Sequence, residues 1–135
     1  MESHLKSLVV PTLRKAGFKG AFPHFRRLGP DRIDLLTFQF DRSGGGIVIT
    51  ISQCGVLGAT TRSGEVVGPK VVSALDLPYD QSVRLEQPPG AQGEVWLRFD
   101  SGQFTHCAGQ VLELLPEAEG WWHCKATPNR VAGGI

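Results

Sequence analysis

Hydrophobic and polar positions alternate most regularly between Arg32 and Gln53. Two runs of strand length, RIDLLTFQFD and IVITISQ, flank the loop RSGGG. This pattern predicts an antiparallel hairpin. Successive strand side chains point to opposite faces. Leu36, Phe38 and Phe40 therefore share one face in the first run, and Ile33, Leu35, Thr37, Gln39 and Asp41 share the other. In the second run Ile47, Ile49 and Ile51 oppose Val48, Thr50 and Ser52. One face reads as wholly apolar and core-facing. The other reads as mixed and freer, as antiparallel sheets often are, and a binding surface is expected there.

The pattern extends in both directions. From His4 to Ala16, Leu5, Leu8, Val9, Leu13 and Ala16 recur at helical spacing. Ser3 is the N-cap candidate, and Gly17 supplies the stop. Pro11 predicts either a kink or a helix beginning near Val10. HFRRL (His24–Leu28) reads as a short strand that returns through Gly29-Pro30-Asp31 into the hairpin. Phe25 and Arg27 share its core side, with Arg27 near an edge; His24 and Arg26 lie opposite. The stretch from Gly55 to Gly93 is rich in glycine and proline, with a short helix expected in GPKVVSALDLP, a strand in Ser82–Glu86 and a loop in QPPGAQG. EVWLRFD (Glu94–Asp100) alternates as a strand that places Trp96 and Arg98 on the mixed face. Trp96 there is either packed under a loop or part of a surface. Ser101–Leu115 has the best helical repeat, in Phe104, Cys107, Ala108, Val111, Leu112 and Leu115, with Ser101 as N-cap. Pro116 is expected to end it. GWWHCK then reads as an extended segment, and NRVAGGI as a frayed tail.

Composition narrows the class. The chain has 135 residues and a formal net charge of +1, which fits one soluble domain without the basic runs of a nucleic-acid binder. Three cysteines, Cys54, Cys107 and Cys124, form no disulfide framework and suggest a reducing cytoplasm. The first residues lack a secretion-signal pattern, and no apolar run approaches the ~20 residues needed to span a bilayer.

Four landmarks occur in order: LRKAGFK (Leu13–Lys19), FRRL (Phe25–Leu28), the strand holding Phe38-Gln39, and Ile49–Ser52. Together they resemble the bacterial "domain of unknown function 4304" family, most closely from Leu5 to Gln53. The later helix and Trp121-Trp122 match more loosely. Where that family has Gln-Lys-Ser, this chain has Gln39-Phe40-Asp41. Where it ends a strand in Asn-Leu-Gly, this chain has Ser52-Gln53-Cys54-Gly55. The resemblance implies an α+β fold and no particular activity.

Candidate chemistry is sparse. His106-Cys107 and His123-Cys124 are adjacent pairs, whose side chains diverge on a helix or a strand, so neither is a two-ligand clip for zinc. A Cys54 nucleophile would need His24, His106 or His123 within hydrogen-bond reach. Gly44-Gly45-Gly46 leads into a strand rather than a helix N-terminus, so a tight turn is expected instead of a phosphate cradle. The remaining candidate is the mixed sheet face: Arg26, Thr37, Gln39, Thr50, Ser52, Trp96 and Arg98. These groups can hydrogen-bond, stack and pair with an anion.

The expectation is a single α+β domain over 1–128 with a flexible tail at 129–135. An antiparallel sheet of four to five strands is covered on one face by the N-terminal helix and a helix of the C-terminal half. The leading functional expectation is a non-enzymatic cytoplasmic protein-interaction module, such as an immunity protein that neutralises a co-encoded toxin. No catalytic residues, metal, cofactor, nucleic acid or membrane enter that reading. The alternative is a small-ligand-binding protein or enzyme with a pocket near Cys54 and the mixed face.

Overall fold

The predicted hairpin forms the centre of a five-stranded antiparallel sheet. In the computed structural model, residues 1–42, 44–77, 81–85, 97–99 and 102–126 are described. In chain order the elements are α1 (Glu2–Leu8), α2 (Val10–Lys15), β1 (His24–Leu28), β2 (Ile33–Phe40), β3 (Gly46–Cys54), β4 (Ala59–Thr60), β5 (Val66–Val67), β6 (Ser82–Leu85), β7 (Leu97–Arg98) and α3 (Phe104–Ala126). A 3₁₀ turn spans Ala74–Asp76. Strands β1, β2 and β3 make a meander, and β6 and β7 both pair with β3 along its far edge. The register runs from Ile33 opposite Cys54 to Phe40 opposite Ile47. Gly44 and Gly45, both at positive φ, make the turn that joins β2 to β3.

The N-terminal helix is broken at Val9, and Pro11 sits in the first turn of α2, where its missing N–H costs nothing. Leu5, Val9 and Leu13 are buried, but Leu8 and Ala16 face solvent, so the apolar stripe is narrower than the spacing suggested. Ser3 lies inside α1 and is not its cap; Met1 holds the N-cap position without a side-chain bond. At the other end, Gly17 has φ +100, with Gly17 N–H bonded to the Arg14 carbonyl and Phe18 N–H to the Leu13 carbonyl. This paired capping brings Phe18 and Leu13 together in the core.

Helix α3 corrects the sequence reading most. It runs through Pro116 to Ala126, and Trp121-Trp122 are helical rather than extended. Pro116 has no N–H for the Leu112 carbonyl, a cost of about 3 kcal/mol inside a helix. The buried positions Cys107, Ala108, Val111, Leu115, Ala118 and Trp122 nonetheless keep one stripe on the sheet throughout. Trp122 is 1% exposed, and its Nε1–H donates to the Ser52 carbonyl at 2.9 Å. Truncating a buried Trp costs about 3–5 kcal/mol, enough to outweigh the proline.

The helices cover the face carrying Phe25, Leu36, Phe38, Ile47, Ile49 and Ile51. Phe40, assigned to that face, lies at its end and is partly exposed. The opposite face is not free. Val72, Ala74 and Leu77 pack on Ile33 and Leu35 in a second core, with Ala59 and Val67 of the β4–β5 hairpin against it. The helix expected in GPKVVSALDLP is reduced to the Ala74–Asp76 turn, closed by reciprocal bonds between Ser73 and Asp76. Trp96, Ser101, the loop at 87–93 and the tail at 129–135 lie outside the described residues. Among those described, no helix is long and apolar enough to cross a membrane.

Candidate functional site

The mixed face was expected to present hydroxyls and amides to a partner. The structure turns most of them inward. Thr37, Thr50 and Ser52 are buried, at 1%, 5% and 0% exposure. Thr37 Oγ1 lies 3.0 Å from His24 Nδ1, across the β1–β2 register. The Thr50 hydroxyl donates to Gln39 Oε1 at 2.9 Å. Ser52 Oγ approaches the Ala74 carbonyl at 3.5 Å, where the 3₁₀ turn covers the sheet. Arg98 sits opposite Gly46, which has no side chain, and reaches past it to Asp41 at 2.9 Å. These groups bond in separate pairs along the sheet and do not converge on one point. Arg26 is the exception among the described members: its Nε is buried and has no hydrogen-bond partner.

The face expected to be wholly apolar holds a polar cluster instead. Alternation places Asp34 with Leu36, and Gln53 with Ile51, under α3. Asp34 is 2% exposed. Arg27, directly opposite it on β1, donates to Asp34 Oδ2 from Nε at 3.0 Å and from Nη2 at 2.8 Å. The same guanidinium grips Glu119 of α3 at 2.9 and 2.8 Å and lies over the rings of Phe18 and Trp122. Burial by itself would lower the Arg27 pKa; hydrogen bonds to Glu119 and Asp34 more than offset this and leave it raised. Gln53 Nε2 joins Asp34 Oδ1 at 2.8 Å to the Trp122 carbonyl at 3.0 Å. The cluster ties the C-terminal half of α3 to the sheet. Parity alone could have found it, since Arg27 and Asp34 both fall on the side of Phe25 and Leu36.

Cysteine chemistry is muted. Burial, followed by the charges of Asp34 and Asp76, pushes the Cys54 thiol up to about 11. Burial does the same for Cys107, which lies under α3. Both are therefore protonated thiols near neutral pH, unlike an activated nucleophile. Cys124 is exposed on α3. No three His, Cys, Asp or Glu side chains are grouped to hold a metal among the described residues. A cavity of about 450 Å³ lies between α2 and α3, walled by Leu13, Ala16, Leu112, Leu115, Pro116 and Trp122. Another of about 410 Å³ lies between Thr61–Glu65 and Leu75–Leu77. Neither is lined by Cys54 or Gln39.

Exposed apolar surface lies instead on the excursion between β3 and β6. Of the eight large apolar side chains exposed among the described residues, five lie here: Val56, Leu57, Val66, Val71 and Leu75. Leu57 is 84% exposed, Val66 78% and Val71 67%. The segment is anchored rather than loose. Val67 points into the second core while its neighbour Val66 points out. Thr61 closes the β4–β5 turn by accepting Gly64 N–H on its carbonyl and Glu65 N–H on its hydroxyl. A Cβ at Gly58 would stand 2.0 Å from the Val67 carbonyl oxygen, so only glycine lets the tip fold back this closely. This surface had no periodic signal, because β4 and β5 are two residues each.

The model of a protein family described as "Domain of unknown function (DUF4304)" matches residues 9–128. No curated protein and no solved structure matches the chain.

Proposed function

The chain belongs to the DUF4304 family, and we propose that it is a non-enzymatic protein-interaction module that binds its partner through residues 55–77. The carrying observation is that Leu57, Val66 and Val71 stand exposed on a segment held in shape by the second core it forms with Ile33 and Leu35. Exposed apolar side chains concentrated in one stretch of chain favour association. Covering each would contribute about 1.5–3 kcal/mol. Catalysis has less support, because the Thr37 and Thr50 hydroxyls are engaged by His24 and Gln39 and the Cys54 thiol is held protonated. The partner we favour is a co-encoded toxin in a bacterial cytoplasm, which the domain would neutralise by one-to-one binding.

The test is co-expression with each protein encoded beside it, followed by native mass spectrometry. A one-to-one complex is expected, and Leu57→Asp or Val66→Asp should abolish it without altering the circular-dichroism spectrum. A complex that survives both substitutions, or the absence of any complex, would defeat the proposal.

A further inference from the structure

We infer that the outer edge of β1 holds an acidic peptide segment through Lys19, His24 and Arg26. This rests on the interaction reading but uses a different set of residues. Lys19 N–H donates to the Arg26 carbonyl at 2.7 Å, and Arg26 N–H to the Lys19 carbonyl at 2.8 Å. Residues that exchange both bonds stand directly opposite each other, with Cα atoms about 5.5 Å apart and side chains on one face. His24 is two residues along β1, on the same face, about 6.6 Å away. Its Nδ1 is engaged by Thr37 Oγ1, which leaves Nε2 as the other ring nitrogen.

Three observations mark this edge as a place for an anion. Like charges directly opposite across a ladder destabilise it, yet Lys19 and Arg26 are set in that relation. The backbone enforces it: Gly20 has φ +117, and a Cβ there would stand 2.6 Å from the His24 carbonyl oxygen. Other arginines have been given acceptors. Arg27 has Asp34 and Glu119, Arg32 has Asp31 and Asp34, and Arg98 has Asp41. No ion pair among the described residues includes Lys19, His24 or Arg26, and Arg26 Nε is buried without a partner. An unpaired buried donor is costly, and a charge-assisted bond to the same guanidinium is among the strong ones.

The spacing selects the ligand. His24 and Arg26 stand one two-residue step apart along β1, with Lys19 across from Arg26, so the backbone sets out a row rather than a ring. The nearby backbone offers no cradle either, since the N–H groups of Arg26 and His24 are taken by the Lys19 and Ala21 carbonyls. A compact phosphate would need both. Carboxylates on alternate residues of an extended chain recur at about 6.6 Å, the same spacing as His24 and Arg26.

The test titrates the full-length chain into fluorescently labelled hexaglutamate and follows anisotropy at low and high salt. Hexaglutamine serves as the uncharged control. Salt-sensitive binding of hexaglutamate alone is expected, weakened about tenfold or more by Lys19→Ala and by Arg26→Ala, and restored by Arg26→Lys. Arg84→Ala removes a charge from the same face, opposite Thr50 on the far side of the sheet. It should change affinity less than twofold. Absence of binding, equal weakening by Arg84→Ala, or displacement by inorganic phosphate as readily as by unlabelled peptide would overturn the inference. Leu57→Asp should leave hexaglutamate binding intact, so a partner complex that never forms, or that survives Leu57→Asp and Val66→Asp, would count against the earlier proposal and not this one.

Discussion

Replacing Arg27 by Met should destabilise the fold by about 3 kcal/mol, whereas replacing Glu119 by Gln should cost less than about 1. The difference follows from burial. Arg27 makes two hydrogen bonds to Asp34, whose side chain is 3% exposed, and two to Glu119, whose side chain is 46% exposed. Breaking a buried ion pair from one side costs about 3–5 kcal/mol, because the partner is left charged and dry. Asp34 would retain Gln53 at 2.8 Å and a long contact to Arg32 at 3.4 Å. The Arg27 side chain is itself 22% exposed, and these facts put the loss near the lower bound. A surface pair with a flexible carboxylate is worth about 0.2–1 kcal/mol. Urea denaturation is the assay. With a slope of about 1.5 kcal/mol/M, Arg27→Met should lower the midpoint by about 2 M and Glu119→Gln by no more than about 0.7 M. Arg27→Met combined with Asp34→Leu should cost less than Arg27→Met alone, since it removes the stranded charge. An Arg27→Met loss below about 1 kcal/mol, or equal losses at Arg27 and Glu119, would refute the view that Asp34 is the anchor of the cluster.

Other expectations follow from the same contacts. Iodoacetamide at pH 7.5 should label Cys124 well before Cys54 and Cys107, as read by intact mass; early labelling of Cys107 would contradict its burial. The Cys54 and Cys107 thiols are raised from 9.0 to about 11. Their contribution to stability is therefore complete below pH 9 and lost as pH rises through about 11. Denaturation across that window should show a decline that Cys107→Ala reduces, and an undiminished decline would count against it. Pro116→Ala should restore the hydrogen bond to the Leu112 carbonyl and raise stability by up to about 3 kcal/mol, measured by thermal unfolding. A loss of stability would mean that the proline's packing against α2 outweighs the missing bond.

Alternation was enough to read the central hairpin, because Leu36, Phe38, Ile47, Ile49 and Ile51 repeat at two-residue spacing over long strands. The same rule placed Phe25 and Arg27 together under the helices. Asp34 shares parity with Leu36 and belongs to that face too, so the face is not wholly apolar. Read locally, Pro116 is a helix stop, yet α3 runs through it. The stripe through Val111, Leu115, Ala118 and Trp122 continues past it, and burial of Trp122 outweighs a local penalty. The burial of the sheet-face hydroxyls escapes alternation for a different reason. Thr37, Thr50 and Ser52 look like surface residues in a strand pattern, and what makes them interior is tertiary: the His24 and Gln39 bonds and the cover from Val72 to Leu77. That cover comes from a stretch of turns and two-residue strands, where neither the two-residue nor the helical period can develop. The exposed side chains proposed as the contact surface are on the same stretch, and so were equally hidden from periodicity.

Hydrogen exchange on the complex with the co-encoded partner would test the central claim most directly. Amides between Gly55 and Leu77 should gain protection on binding, most strongly around Leu57, Val66 and Val71, while those of α2 and α3 stay unchanged. Protection confined to the α2–α3 cleft, or no change between Gly55 and Leu77 in a complex that forms, would contradict it.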